Sequence, residues 1–176
     1  METYVVIVIL FGVVILLLLG GLFFVNRLTL LKLDVETCFG TMKEFAIERA
    51  NIFEEMSSFL EKNYDKEEVF IQKIKKNISS LNAIKMAGDG VSILKKTDEI
   101  YQQFLKLETI YSRLKKNEEY LGLIKKYEEN RDRIQYAALA YDKGVEVYNH
   151  YRENTIIDKV SKLLHFPDYD YYDESL

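Results

Sequence analysis

No charge, Asn, Gln or Pro interrupts residues 4–25, a run of 22 apolar or small side chains. As a helix it would be about 33 Å long, the thickness of a bilayer's hydrocarbon core. Beyond it the unbroken pattern gives way to a periodic one. Val35, Phe39, Met42, Ala46, Arg49, Phe53, Met56 and Leu60 follow one another in steps of four and three. That spacing predicts one seam of a long amphipathic helix, polar only at Arg49. A break at Asn63-Tyr64-Asp65 precedes a second set, Ile71, Ile74, Ile78 and Leu81, and Asp65 with Glu68 has the spacing of a capping box. The third set is Ile93, Thr97, Ile100, Phe104, Leu107, Tyr111 and Leu114; Gly88-Asp89-Gly90 ahead of it reads as a helix stop. The fourth runs Tyr120, Ile124, Tyr127, Arg131, Ile134, Ala138, Tyr141, Val145 and Tyr148, with Asn117 placed as its N-cap. No period-two alternation of useful length occurs, so helices alone are expected.

Short connections between four such helices predict an all-α fold: an N-terminal transmembrane helix followed by an antiparallel up-and-down four-helix bundle. The first and fourth helices, residues 28–62 and 118–153, would each be about 50 Å long, with a shorter middle pair. Residues 27–34 contain no Pro or Gly, so the first helix is expected to leave the membrane without a joint. Residues 156–164 predict a further short helix whose Ile157, Val160 and Leu164 would cover one end of the bundle. The expected division is a transmembrane signal anchor at 1–25, the helical bundle at 26–164 and an acidic aromatic tail at 165–176. The tail, with Asp168-Tyr169-Asp170-Tyr171-Tyr172-Asp173-Glu174, reads as a solvated, partly ordered terminus.

Met1-Glu2-Thr3 lacks a basic residue and no A-x-A site follows the apolar run, which favours a retained anchor over a cleaved signal peptide. Arg27, Lys32 and Lys43 flank the run on its C-terminal side only. The expectation is a single-pass cell-membrane protein, N-terminus outside and bundle in the cytoplasm, with residues 4–25 in the lipid bilayer. Gly20-Gly21 would allow close approach of another helix, which leaves a homo-oligomer open. Net charge is −4 and 30% of residues are charged, so nucleic acid is not an expected partner. A single cysteine, Cys38, excludes an internal disulfide and a cysteine zinc site.

The order of these residues resembles the LemA family of bacterial membrane-anchored helical proteins. In the fourth helix Arg133-Ile134, Tyr141-Asp142, Val145 and Tyr148-Asn149 are similar to that family's r-I…Y-N-x-x-V-x-x-Y-N pattern. Tyr111 through Tyr120 is similar to its Y-P-x-L-K-x-N-x-x-F segment, and Phe39, Arg49, Ile52, Phe53 and Met56 stand where it has a tryptophan and R-x-x-L-I-x-x-L. Ile156-Ile157 and Tyr171-Tyr172-Asp173-Glu174 correspond loosely to its end. Ser112 and Glu54 replace prolines, Asp142 an asparagine, Ala138 an arginine and Arg131 a glutamate of the family pattern. The resemblance implies a divergent, membrane-tethered four-helix bundle with no established cofactor or catalytic centre.

Candidate functional residues are few. The seam arginines Arg49 and Arg131 must pair with carboxylates, such as Glu48 or Glu108, or reach water; the functional alternative is an anion- or partner-binding spot. Tyr120, Tyr127, Tyr141 and Tyr148 form a stripe that reads as core, or as a docking surface if exposed. Glu146 and His150 lie one helical turn apart, yet the paired Glu-x-x-His spacing of a di-metal bundle site does not occur. No phosphate-binding glycine loop or nucleophile elbow occurs either. The sequence therefore predicts no enzyme and no catalytic, cofactor or metal residues. It predicts a scaffold or adaptor for unidentified membrane or cytoplasmic proteins, with a sensor that binds a small ligand or lipid headgroup as the alternative.

Overall fold

The computed structural model describes residues 2–64, 68–85 and 87–172. Five α-helices and one 3-10 turn make up nearly all of them, and no strand occurs among the described residues. They are α1 (Glu2–Asn63), α2 (Glu68–Asn82), α3 (Ala87–Ile110), α4 (Glu118–Arg152) and α5 (Thr155–Leu163), with the 3-10 turn at Ser112–Lys116.

The apolar run and the first amphipathic seam form a single helix, α1, of 62 residues. With no Pro and no local break in its backbone ladder, nothing in the sequence stops it before Asn63. Its two halves behave differently. Residues 4–19 are all exposed, and the apolar stretch is long enough to cross a membrane while none of it is buried by the rest of the protein. From Leu28 onward one face is covered, and all eight predicted seam residues from Val35 to Leu60 are buried. Each larger apolar member of that seam, Ala46 aside, contributes about 1.5–3 kcal/mol by leaving water.

α4 covers most of this face. Phe39 meets Tyr141 edge to face at 5.9 Å, Phe53 stacks near Tyr127 at 5.8 Å, and Phe59 tilts against Tyr120 at 6.1 Å. Ion pairs flank the aromatic rows, Glu48 with Arg133 at 2.7 Å and Glu55 with Lys126 at 2.5 Å. α2 lays Ile71, Ile74 and Leu81 against the body, with Ile78 half-buried, and α3 contributes Leu94, Thr97, Ile100, Tyr101, Phe104 and Leu107.

Local details depart from the simple pattern in four places. Gly88-Asp89-Gly90 does not stop a helix; it lies in the first turns of α3, after a connection that follows Asn82. The glycine at position 90 serves close approach: a Cβ there would overlap the buried ring of Phe39. Adding that carbon should help the helix by up to about 1 kcal/mol, but overpacking a buried ring costs about 1–3 kcal/mol and wins. Gly90→Ala is therefore expected to lower thermal stability, and Phe39→Leu in the same chain to restore part of the loss. The capping-box residue Asp65 falls outside the described residues.

The third helix ends at Ile110, not beyond Leu114. Tyr111 leaves helical backbone, and 3-10 bonds from Leu114 N–H to Tyr111 O and from Asn117 N–H to Leu114 O tighten the chain. This returns Leu114 to the core and sets Asn117 to cap α4, its side chain accepting from the Tyr120 N–H at 2.8 Å. On α4 the buried positions are Leu123 and Asn130, one residue before the expected Ile124 and Arg131, which are half-buried. Steps of three and four are equally compatible with Tyr127, and the smaller asparagine takes the interior place.

The fourth departure is the tail, which is not a solvated terminus as far as Tyr172. Leu164 and His165, the latter at φ 57°, close α5 with bonds from the His165 N–H to Lys162 O and the Phe166 N–H to Ser161 O. The chain then runs back over α4. Tyr169 is buried, touches Tyr148 at 5.1 Å and donates from its hydroxyl to Glu36 at 2.6 Å. Residues 173–176 lie outside the described residues.

Candidate functional site

Arg49 is the largest fully buried polar side chain, and its surroundings come from three helices. α1 places it in an apolar seam, between Ala46 and Phe53. From α4, Asn130 accepts from its Nε at 2.9 Å; from α3, Thr97 accepts from Nη1 at 2.5 Å. Asp98 Oδ1 stands 3.5 Å from Nη1, on a residue half open to solvent. The guanidinium also lies over the Tyr127 ring, 4.7 Å from its centre. Desolvating this cation is costly, and two hydrogen bonds, a carboxylate and an aromatic face together offset that cost. Neither Glu48 nor Glu108 is its partner, contrary to expectation. Glu48 instead binds Arg133 and the Asn130 amide.

The network continues outward. Asn130 donates to Phe45 O at 2.9 Å, and the Tyr127 hydroxyl donates to Asp98 at 2.8 Å. One donor is left over: Nη2 of Arg49 is buried without a hydrogen-bond partner. Arg131 is not part of this site. It pairs with Glu128 on its own helix at 2.6 Å and is half-buried at the edge.

A second polar cluster joins the end of α4 to the tail. Arg152, nearly buried, donates to Ser161 Oγ and Pro167 O and pairs with Asp168 at 2.6 Å. The Tyr148 hydroxyl donates to Pro167 O at 2.7 Å and the Tyr141 hydroxyl to Asp170 O at 3.0 Å. Asp142 accepts the Tyr172 backbone N–H at 2.6 Å. Sequence reasoning singled out neither Asn130 nor Arg152. Polar residues at three- and four-residue steps from the tyrosine stripe were the available signal.

The stripe itself is core: Tyr120, Tyr127, Tyr141 and Tyr148 are all buried, and every hydroxyl has an acceptor. Burial is the main reason that Tyr101, Tyr120, Tyr127, Tyr141, Tyr148 and Tyr169 hold their protons beyond the ordinary tyrosine range. Nearby carboxylates reinforce it at Tyr101 and Tyr169, while Arg49 opposes it at Tyr127. Below about pH 10 folded and unfolded chains are both protonated at these groups; above it the unfolded chain releases protons first, so stability falls as pH rises. Alkaline titration is expected to show the tyrosinate absorbance of this buried set appearing together with loss of helical circular dichroism in one steep transition. Ionisation of the buried tyrosines with the helices intact would contradict this.

His150 is exposed and sits 3.2 Å from Glu153, not against Glu146. No cluster of three or more His, Cys, Asp or Glu side chains suited to a metal occurs among the described residues. Cys38 is half-buried and free. No family model matches this chain, and no curated protein matches it.

Proposed function

We propose that the chain is a single-pass membrane protein whose cytoplasmic part is an antiparallel four-helix bundle, acting as a non-enzymatic scaffold or adaptor for other proteins. One observation carries the reading: α1 passes without a break from an apolar stretch, exposed throughout residues 4–19, into a buried seam. A soluble core helix would bury that stretch, and the length of the run, with no basic residue before it and no A-x-A site after it, argues against a cleaved signal. Contacts that pair Phe39 with Tyr141, Phe53 with Tyr127 and Phe59 with Tyr120 support opposite directions for α1 and α4. The basic residues after the anchor support the cytoplasmic side, and the LemA-like order of residues supports the same architecture.

For the adaptor role the support is surface chemistry. Tyr136 and Leu139 stand out from α4 beside a cleft of about 570 Å³ shared with Asp132, Asp142 and Tyr172. A photo-crosslinker at Tyr136 in native membranes is expected to capture a defined protein that the same probe at Leu121 does not. Equal labelling from both positions would remove the adaptor reading. Carbonate extraction and protease access in vesicles of known sidedness test anchor and orientation separately. The sensor alternative draws on the unpartnered Nη2 of Arg49; a small anion that raises the melting temperature of the wild-type chain, and not of Arg49→Met, would favour it.

A further inference from the structure

α5 is the most amphipathic of the helices, and two of its four apolar side chains are exposed. Ile157 is buried, whereas Ile156 is 69% and Leu163 75% exposed. Asp158 and Lys162 occupy the opposite side, and Lys159 flanks the apolar face beside Leu163. The position of α5 is what gives this exposure meaning. Ile156, Ile157 and Val160 form one wall of an apolar cleft of about 360 Å³, and the other wall is the end of the exposed run of α1: Leu17, Gly20, Phe24 and their neighbours. The glycine pair Gly20-Gly21 opens this space, since nothing lies within 4 Å of where their Cβ atoms would be.

We propose that α5 is an interfacial helix, lying in the cytoplasmic headgroup layer with Ile156, Val160 and Leu163 in the acyl region and a lipid chain in the cleft. The proposal rests on the membrane-anchor reading, because it is the anchor that brings the cleft to the bilayer. Continuity argues for lipid as the occupant: the cleft wall is the same surface that the anchor presents to hydrocarbon. Charge agrees, for Lys159 and Lys162 on α5 and Arg27 just after the apolar run suit anionic headgroups, with Asp158 pairing Lys162 at 2.8 Å.

The chain has no tryptophan, so a single introduced one reports its own surroundings. Full-length Ile156→Trp and Leu163→Trp, made separately, are reconstituted in phosphatidylcholine–phosphatidylglycerol vesicles with and without brominated acyl chains. Val13→Trp marks the anchor and Tyr136→Trp the far surface. Both α5 probes are expected to emit at shorter wavelength than Tyr136→Trp and to be quenched by bromolipid to an extent comparable with Val13→Trp. If Val13→Trp is quenched while the α5 probes respond only to aqueous iodide, the helix stands off the bilayer and the proposal fails alone. Blue-shifted but unquenched α5 probes would mean that a second protein copy covers the face, which also overturns it. An unquenched Val13→Trp removes the anchor and this inference with it.

Discussion

Deleting residues 165–176 is expected to destabilise the helical body by on the order of 5 kcal/mol, although the described part, 165–172, contains no helix. Loss of a buried aromatic ring costs about 3–5 kcal/mol, and Tyr169 is such a ring. The deletion also removes the carbonyls of Pro167 and Asp170, which accept from Tyr148 and Tyr141, and the amide that satisfies Asp142. Each such bond contributes about 1 kcal/mol, though water will replace part of it. Against a total of roughly 5–15 kcal/mol for an ordinary domain, the loss is large. Chemical denaturation of the detergent-solubilised protein measures it. Because Asp170 acts through its backbone, Asp170→Ala is expected to change little, and Tyr169→Phe to cost about 1.5–3 kcal/mol through the bond to Glu36. A truncated protein as stable as the full chain would show that the tail merely rests on α4.

Arg49→Ala is expected to cost about 3–5 kcal/mol, the range for removing one partner from a buried ionic network. Space left by the side chain adds to the loss, while the half-exposed Asp98 is rehydrated and limits it. Arg49→Met fills most of the volume and isolates the polar contribution. It leaves Asn130 without the donor to its carbonyl and Thr97 without a donor to its hydroxyl. Adding Thr97→Val to Arg49→Met should then recover stability instead of compounding the loss, since a buried polar set is often replaceable as a whole. Strictly additive losses in this cycle would contradict the network described here. Arg49→Lys should not substitute, because an ammonium cannot hold Asn130 and Thr97 in the fixed geometry of a guanidinium.

Much of the helical layout is legible from spacing alone. Every residue from Val35 to Leu60 placed on the first seam is buried, and so are the four tyrosines of the fourth, because three-four periodicity reports which face of a helix meets its neighbours. The absence of a breaker from Arg27 to Asp34 likewise announced a continuous α1. Legibility fails where the deciding contact is remote in sequence. Whether Asn130 or Arg131 points inward depends on Arg49, 81 residues from Asn130. Gly90 reads as punctuation until Phe39 is seen against it. The tail is the hardest case: its anchoring atoms are mostly backbone carbonyls, which no residue pattern reveals, and its acids suggest solvent even though Tyr169 is buried. The partners of Arg49 escaped for a related reason, since neutral Asn and Thr acceptors are not what charge counting looks for.

The jointless course of α1 has a mechanical result. From Asn26 to Asn63 the rod projects about 57 Å, and it is stiff over that length. In a bilayer, an inclination of about 20° at its root would carry the far tip sideways by about 20 Å. Membrane thickness would thereby set where the distal surface sits, with no swivel to absorb the difference.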